Sequence, residues 1–178
     1  MKPNLKIIAA LSVMFFCLPA AGGGFSVGTY NSLKGFGICM NANTESGIRN
    51  SYTLYADTFD VLNGKYNTPG IKAVFLHYNR LAGFSTEKAR IDLLLAPGAT
   101  VGYVRDYNSG GHYGICSCVD FSTCCLASFD RGIEIEFGFD IELGVLGRRL
   151  GDGIELGLYR NGVSRGYFPH VKISYRFR

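Results

Sequence analysis

Residues 133–145 read Ile-Glu-Ile-Glu-Phe-Gly-Phe-Asp-Ile-Glu-Leu-Gly-Val. Ile133, Ile135, Phe137, Phe139, Ile141, Leu143 and Val145 fall on one phase; Glu134, Glu136, Gly138, Asp140, Glu142 and Gly144 fall on the other. Successive side chains of a strand point to opposite faces, so a period of two makes one face apolar and the other acidic or bare. A helix would scatter both classes around its circumference. The stretch reads as one long β-strand.

The C-terminal residues repeat the design with the opposite charge. Val171, Ile173, Tyr175 and Phe177 alternate with Lys172, Ser174, Arg176 and Arg178. Between the two runs, Ile154, Leu156 and Leu158 alternate with Glu155, Gly157 and Tyr159. Asn161-Gly162 suits a tight type I′ hairpin, because both residues tolerate positive φ, and Asn63-Gly64 and Asp152-Gly153 are similar.

These patterns predict eight strands: 25–43 (with an irregular start), 51–60, 70–78, 89–106, 111–120, 130–146, 152–160 and 167–177. Segments 51–60 and 70–78 carry apolar residues on both phases. Segment 89–106 is expected to bend at Pro97-Gly98 through a β-bulge. Loops are expected at 44–50, 79–88, 121–129 and 161–166. No long helical periodicity, internal repeat or linker interrupts the chain, whose 178 residues suit one domain.

The N-terminus reads as a secretory signal over residues 1–21, leaving 22–178 as the mature domain. Lys2 and Lys6 form a basic start, residues 7–18 an apolar run, and Pro19-Ala20-Ala21 a small-residue end. That run is shorter than the roughly 20 residues a membrane-spanning helix needs. Cys17 follows Phe15-Phe16, which are bulky where a lipidated cysteine needs small neighbours. Removing Lys2 and Lys6 from eighteen basic residues leaves sixteen against fourteen acidic ones, a balance of +2. So even a balance argues against a nucleic-acid or polybasic membrane-surface partner.

Alternation alone leaves two readings open. In a soluble barrel or sandwich the apolar phase points inward; in a transmembrane barrel it faces lipid and the polar phase fills the lumen. The polar phase here is rich in glycine and segregates its charges. Glu134, Glu136, Asp140, Glu142 and Glu155 stand against Lys172 and Arg176, with Arg90 and Asp92 on another strand. An eight-stranded lumen holds only packed side chains, so glycine makes room there and buried charges must pair. The expected fold is therefore all-β, an eight-stranded antiparallel transmembrane up-and-down β-barrel whose lumen charges form a structural network. Arg176 is expected to pair with Glu136, Asp140 or Glu142.

Residues 94–106, Leu-Leu-Ala-Pro-Gly-Ala-Thr-Val-Gly-Tyr-Val-Arg-Asp, together with 158–162 and 167–177, resemble the small eight-stranded outer-membrane barrels common in Bacteroidetes. The resemblance covers roughly the second half of the chain. It implies fold and location, a bacterial outer membrane reached by signal-dependent export, and names no activity. A usual terminal aromatic is followed here by Arg178.

Five cysteines remain after residue 21. Cys116 and Cys118 share one strand face, and Cys124 and Cys125 fall in the expected 121–129 loop. A bridge from Cys116 or Cys118 to Cys124 or Cys125 is open, as are free buried thiols and a thiolate metal site; the spacing is not that of a zinc module. His77, His112 and His170 have no nucleophile elbow near them, and His170 reads as a rim residue. Glu134 and Glu136 read as structural, given their basic companions, rather than as a glycosidase pair. The expectation is a non-enzymatic structural or surface-interaction barrel, with no cofactor, metal or catalytic residue. Its partners would be outer-membrane lipid and, during biogenesis, the barrel assembly machinery. The alternatives are a soluble secreted barrel that binds an apolar ligand and a membrane-embedded lipid-modifying enzyme.

Overall fold

The computed structural model describes residues 23–43, 49–106, 112–151 and 153–177. The signal segment 1–21 with Cys17, the turn residue Asp152 and the terminal Arg178 lie outside the described residues.

Nine strands are described: β1 (Gly23–Ser32), β2 (Gly35–Asn43), β3 (Arg49–Asp57), β4 (Gly70–Ser85), β5 (Ala89–Val104), β6 (Gly114–Phe129), β7 (Ile133–Leu150), β8 (Gly153–Leu158) and β9 (Pro169–Phe177). Two single-turn helices join them, α1 (Phe59–Leu62) and α2 (Arg160–Ser164). Consecutive strands from β1 to β8 pair antiparallel. β9 pairs with β7 on one edge and β1 on the other, closing the sheet into a ring.

Nine strands occupy eight places around that ring, because β8 and β9 share one edge of β7. β8 pairs with Val145 to Leu150 and β9 with Ile133 to Phe139. The expected hairpin at Asn161-Gly162 is therefore absent. Those residues instead form part of α2, which fills the breach between β8 and β9. The Asp106 carboxylate accepts the backbone N–H groups of Arg160 and Asn161 at 3.2 and 2.8 Å, fixing the start of the turn. Gly162 presses so closely on β7 that a Cβ there would lie 2.3 Å from the Glu142 carbonyl oxygen.

Other differences from the sequence reading have local causes. The expected strand 51–60 ends at Asp57, and Phe59 and Asp60 belong to α1. Segment 25–43 is two strands around a turn at Leu33-Lys34, which carries no glycine, asparagine or proline to mark it. Lys34 folds inward there, and its Nζ donates to the Asp140 carbonyl at 2.8 Å. β4 runs on to Ser85, because a bulge between Arg80 and Ala82 resets the alternation. β6 runs unbroken to Phe129 through the expected loop; small and polar residues such as Ser117, Ser122, Thr123 and Cys125 lie on both its phases and hide its period. No register shift occurs at Pro97-Gly98, where pairing to β6 is continuous.

The ring is polar inside and apolar outside. Its inward phase on β7 carries Glu134, Glu136, Gly138, Asp140 and Glu142, with all four carboxylates buried. Phe137, Phe139, Ile141 and Leu143 stand exposed on the outer face. No Asp, Glu, Lys or Arg lies on the outward phase of β5, β6 or β9. Inside, apolar packing is confined to two clusters. One joins Leu76, Tyr78, Leu94 and Leu126; the other joins Val104, Cys116, Leu146 and Tyr159.

Candidate functional site

The interior charges gather in a cluster to which β7 supplies carboxylates and β3, β4 and β9 supply cations. Glu134 accepts from Arg49 Nη1 at 2.8 Å and from the Ser26 hydroxyl at 2.9 Å. Glu136 lies 2.9 Å from Lys172 Nζ and accepts from the Tyr78 hydroxyl at 2.7 Å. Glu142 binds Lys72 and accepts from Tyr55 at 3.2 Å. His170 stands between two carboxylates, with Nε2 3.1 Å from Glu136 and Nδ1 2.9 Å from Asp140. Charges taken out of water are tolerable only with such partners, since an uncompensated buried ion costs several kcal/mol or more.

Gly138 makes the His170 position available. A Cβ at 138 would lie 2.5 Å from Cys124 Cβ and 2.9 Å from His170 Cε1, so any side chain there would displace the imidazole.

Of the residues singled out in the sequence, Glu134, Glu136, Asp140, Glu142 and Lys172 come together inside the ring. Arg176 reaches only Glu134, at 3.7 Å, with its side chain 36% exposed, and touches none of the three carboxylates expected for it. Glu155 lies apart on the β7–β8 hairpin, 51% exposed and bound to Arg148. His170 is buried at the centre rather than placed at a rim.

Arg49, Lys72, Tyr55 and Tyr78 are the contributors that the sequence reading missed. Lys72 and Tyr78 share the inward phase of β4 with Val74 and Leu76, so that strand shows no polar face. Arg49 opens β3 but falls in the loop expected at 44–50, ahead of the expected strand 51–60. A run of aromatic hydroxyls on inward phases (Tyr30, Tyr55, Tyr78) was the signal available.

One end of the ring is closed by the two helices. Arg165 binds Asp57 at 3.1 Å and Asp60 at 2.8 Å, and its guanidinium lies 4.5 Å from the Phe59 ring centre. Burial opposes the Arg165 charge, but the adjacent Asp57 and Asp60 carboxylates outweigh it and raise the guanidinium above the ordinary arginine range. Phe59 in turn packs on Phe168 at 5.1 Å, tying α1 to the segment that follows α2.

Of the readings left open for Cys116, Cys118, Cys124 and Cys125, the structure has no bridge and all four thiols are free. All four lie on β6. Even Cys118 and Cys124 are about 20 Å apart along an extended strand, against the roughly 4.4–6.8 Å between Cα atoms that a disulfide needs. Among the described residues, no group of three His, Cys, Asp or Glu side chains is placed to hold a metal ion. Both His170 ring nitrogens face carboxylates, which leaves neither to take a proton from a hydroxyl nucleophile.

No family model matches the chain, and neither the curated proteins nor the solved structures contain a match to it.

Proposed function

We propose that the chain is an eight-stranded up-and-down β-barrel of a bacterial outer membrane, with a structural or surface-interaction role and a lumen sealed by its own side chains. The observation that carries this reading is the inverted polarity of the ring. A protein folded in water buries its apolar phase; here that phase faces out and the ion pairs face in. The apolar outer run of β7, residues 133–145, extends about 40 Å along the strand and about 30 Å along the axis at a tilt near 40°. That height suits a bilayer's hydrocarbon core, about 30 Å thick. Aromatic side chains mark both margins of the band, Phe25 stacked on Phe177 at one and Tyr103 on Tyr113 at the other.

A sealed interior supports a non-conducting role. The Glu136–Lys172–Tyr78 contacts cross the ring, the Glu142–Lys72 pair crosses it again beside Asp57, and the Arg165 cluster closes that end. The soluble reading needs an apolar inner lining for its ligand, and the inward phase offers mainly charges, hydroxyls and glycine.

Fractionation of expressing cells tests the reading. The full-length protein should sediment with outer membranes, run faster on gels unheated than boiled, and give no conductance in planar bilayers. Recovery as a soluble periplasmic or secreted protein would overturn it.

A further inference from the structure

The outward phase of β5, β6 and β9 holds no amide, imidazole or charge. On β3 and β4 that face carries Asn50, His77 and Asn79. Their neighbours Arg49, Ser51, Leu76 and Tyr78 are buried on the inner phase, so all three point out. Asn50 and His77 are cross-strand partners, and His77 Nδ1 lies 2.8 Å from Asn50 Oδ1. Asn79 is exposed two residues further along the same face, and its amide reaches the His77 backbone carbonyl at 3.4 Å. His77 Nε2 and the Asn50 amide nitrogen have no hydrogen-bond partner among the described residues. The one other outward amide among the described strands, Asn31 on β1, lies beyond β2 and bonds Thr29 at 3.1 Å.

The register of the ring sets the height of this group. A row of paired residues that leaves β7 at Gly144 circles through Val74 and Gly28 and returns to β7 at Glu134, a drop of 144 − 134 = 10 residues over eight strands. Three strands away, at β4, the row has dropped by roughly four residues. His77 follows Leu76, whose row meets β7 at Glu142, so its own row meets β7 at Ile141. His77 therefore stands level with Phe137, near the middle of the apolar run. At that depth no water and no lipid headgroup can satisfy an imidazole or an amide, and such groups are held against protein partners.

We propose that the β3–β4 face pairs with the same face of a second copy of this chain, an inference that rests on the bilayer reading above. With Nδ1–H given to Asn50 Oδ1, His77 presents Nε2 as an acceptor, while the Asn50 and Asn79 amides are donors. A patch that holds both kinds is complementary to itself, as a two-fold interface requires. A two-fold axis along the bilayer normal brings the His77 of each copy to the amides of the other, with both copies inserted the same way. Tyr52 and Phe75, whose ring centres lie 5.2 Å apart on the same face, add apolar contact beside the polar pair.

Cross-linking of the full-length protein in outer membranes tests the proposal. Phe75→Cys in a Cys125→Ser background places a thiol beside the pair, and a short bis-maleimide should join two copies through it. Native Cys125, exposed on β6 away from the patch, should give no dimer. Leucine suits a lipid-facing wall, so His77→Leu should assemble into a heat-resistant barrel as well as wild type does. It should nonetheless weaken the dimer about tenfold or more, because each copy loses a hydrogen bond. Asn31→Leu should leave the dimer unchanged. A membrane-inserted chain that stays monomeric, an undiminished dimer in His77→Leu, or cross-linking through position 75 only to a different protein would each overturn this inference alone. Recovery of the chain outside membranes would overturn the bilayer reading and this inference with it.

Discussion

Lys172 Nζ lies 2.7 Å from the Tyr78 hydroxyl and 2.9 Å from Glu136 Oε1, and that hydroxyl donates to the same Glu136 oxygen at 2.7 Å. Lys172 and Glu136 are direct cross-strand partners of β9 and β7, while Tyr78 reaches them from β4 across the interior. The triangle ties opposite walls of the ring together, and all three side chains are buried.

Removing one corner should therefore cost far more than removing two. Lys172→Met leaves Glu136 buried with less compensation and should destabilise the protein by about 3–5 kcal/mol. Adding Glu136→Gln should recover part of that loss. Urea unfolding of the single and double variants measures both, and strictly additive losses would show that the pair is not coupled.

Arg49 and Arg176 both approach Glu134, but only Arg49 is buried against it. Arg49→Met should cost several kcal/mol, and Arg176→Met less than about 1 kcal/mol, as an exposed and distant pair does. Comparable losses for the two in the same unfolding assay would mean that exposure does not rank these pairs.

The alternation of β7 and β9 made the closed, polar-filled ring legible in sequence, because charge and apolarity there separate cleanly by phase. Where small residues occupied both phases, as in β6, the period vanished and a strand read as a loop. The Leu33-Lys34 turn carries no turn residue, and the sharing of β7 by β8 and β9 depends on the docking of α2, which is a tertiary contact. The acidic half of the charge cluster lies on one strand and could be read directly. Its basic half comes from β3, β4 and β9, and no sequence pattern says which distant cations meet it.

Cysteine chemistry reports on both the strand assignment and the surroundings. Cys116, Cys118 and Cys124 are buried and point inward, whereas Cys125 points outward and is exposed. In the folded protein in outer membranes, a lipid-soluble maleimide should label Cys125 alone, and a charged, water-soluble maleimide should label none of the four. Rapid labelling of Cys125 by the charged reagent would place that face in water. A mass shift upon reduction would revive the disulfide.

A lysine scan along the outer face of β7 separates bilayer from water most directly. Ile133 lies beside the turn into β7, while Phe137 and Ile141 lie near the middle of the apolar run, and all three point outward. In water an outward lysine meets solvent, so all three substitutions would cost little. In a bilayer the cost depends on depth: about 2–4 kcal/mol for a lysine near the midplane, falling to about 0–1 kcal/mol near the interface. Phe137→Lys and Ile141→Lys should therefore reduce the assembled, heat-resistant fraction strongly, and Ile133→Lys should barely change it. Inward-facing Ser122→Ala is the control, since it removes a hydroxyl that has no partner among the described residues and leaves the outer face intact. A flat profile across positions 133, 137 and 141, with assembly equal to wild type, would remove the bilayer from the account and leave the ring as a soluble fold.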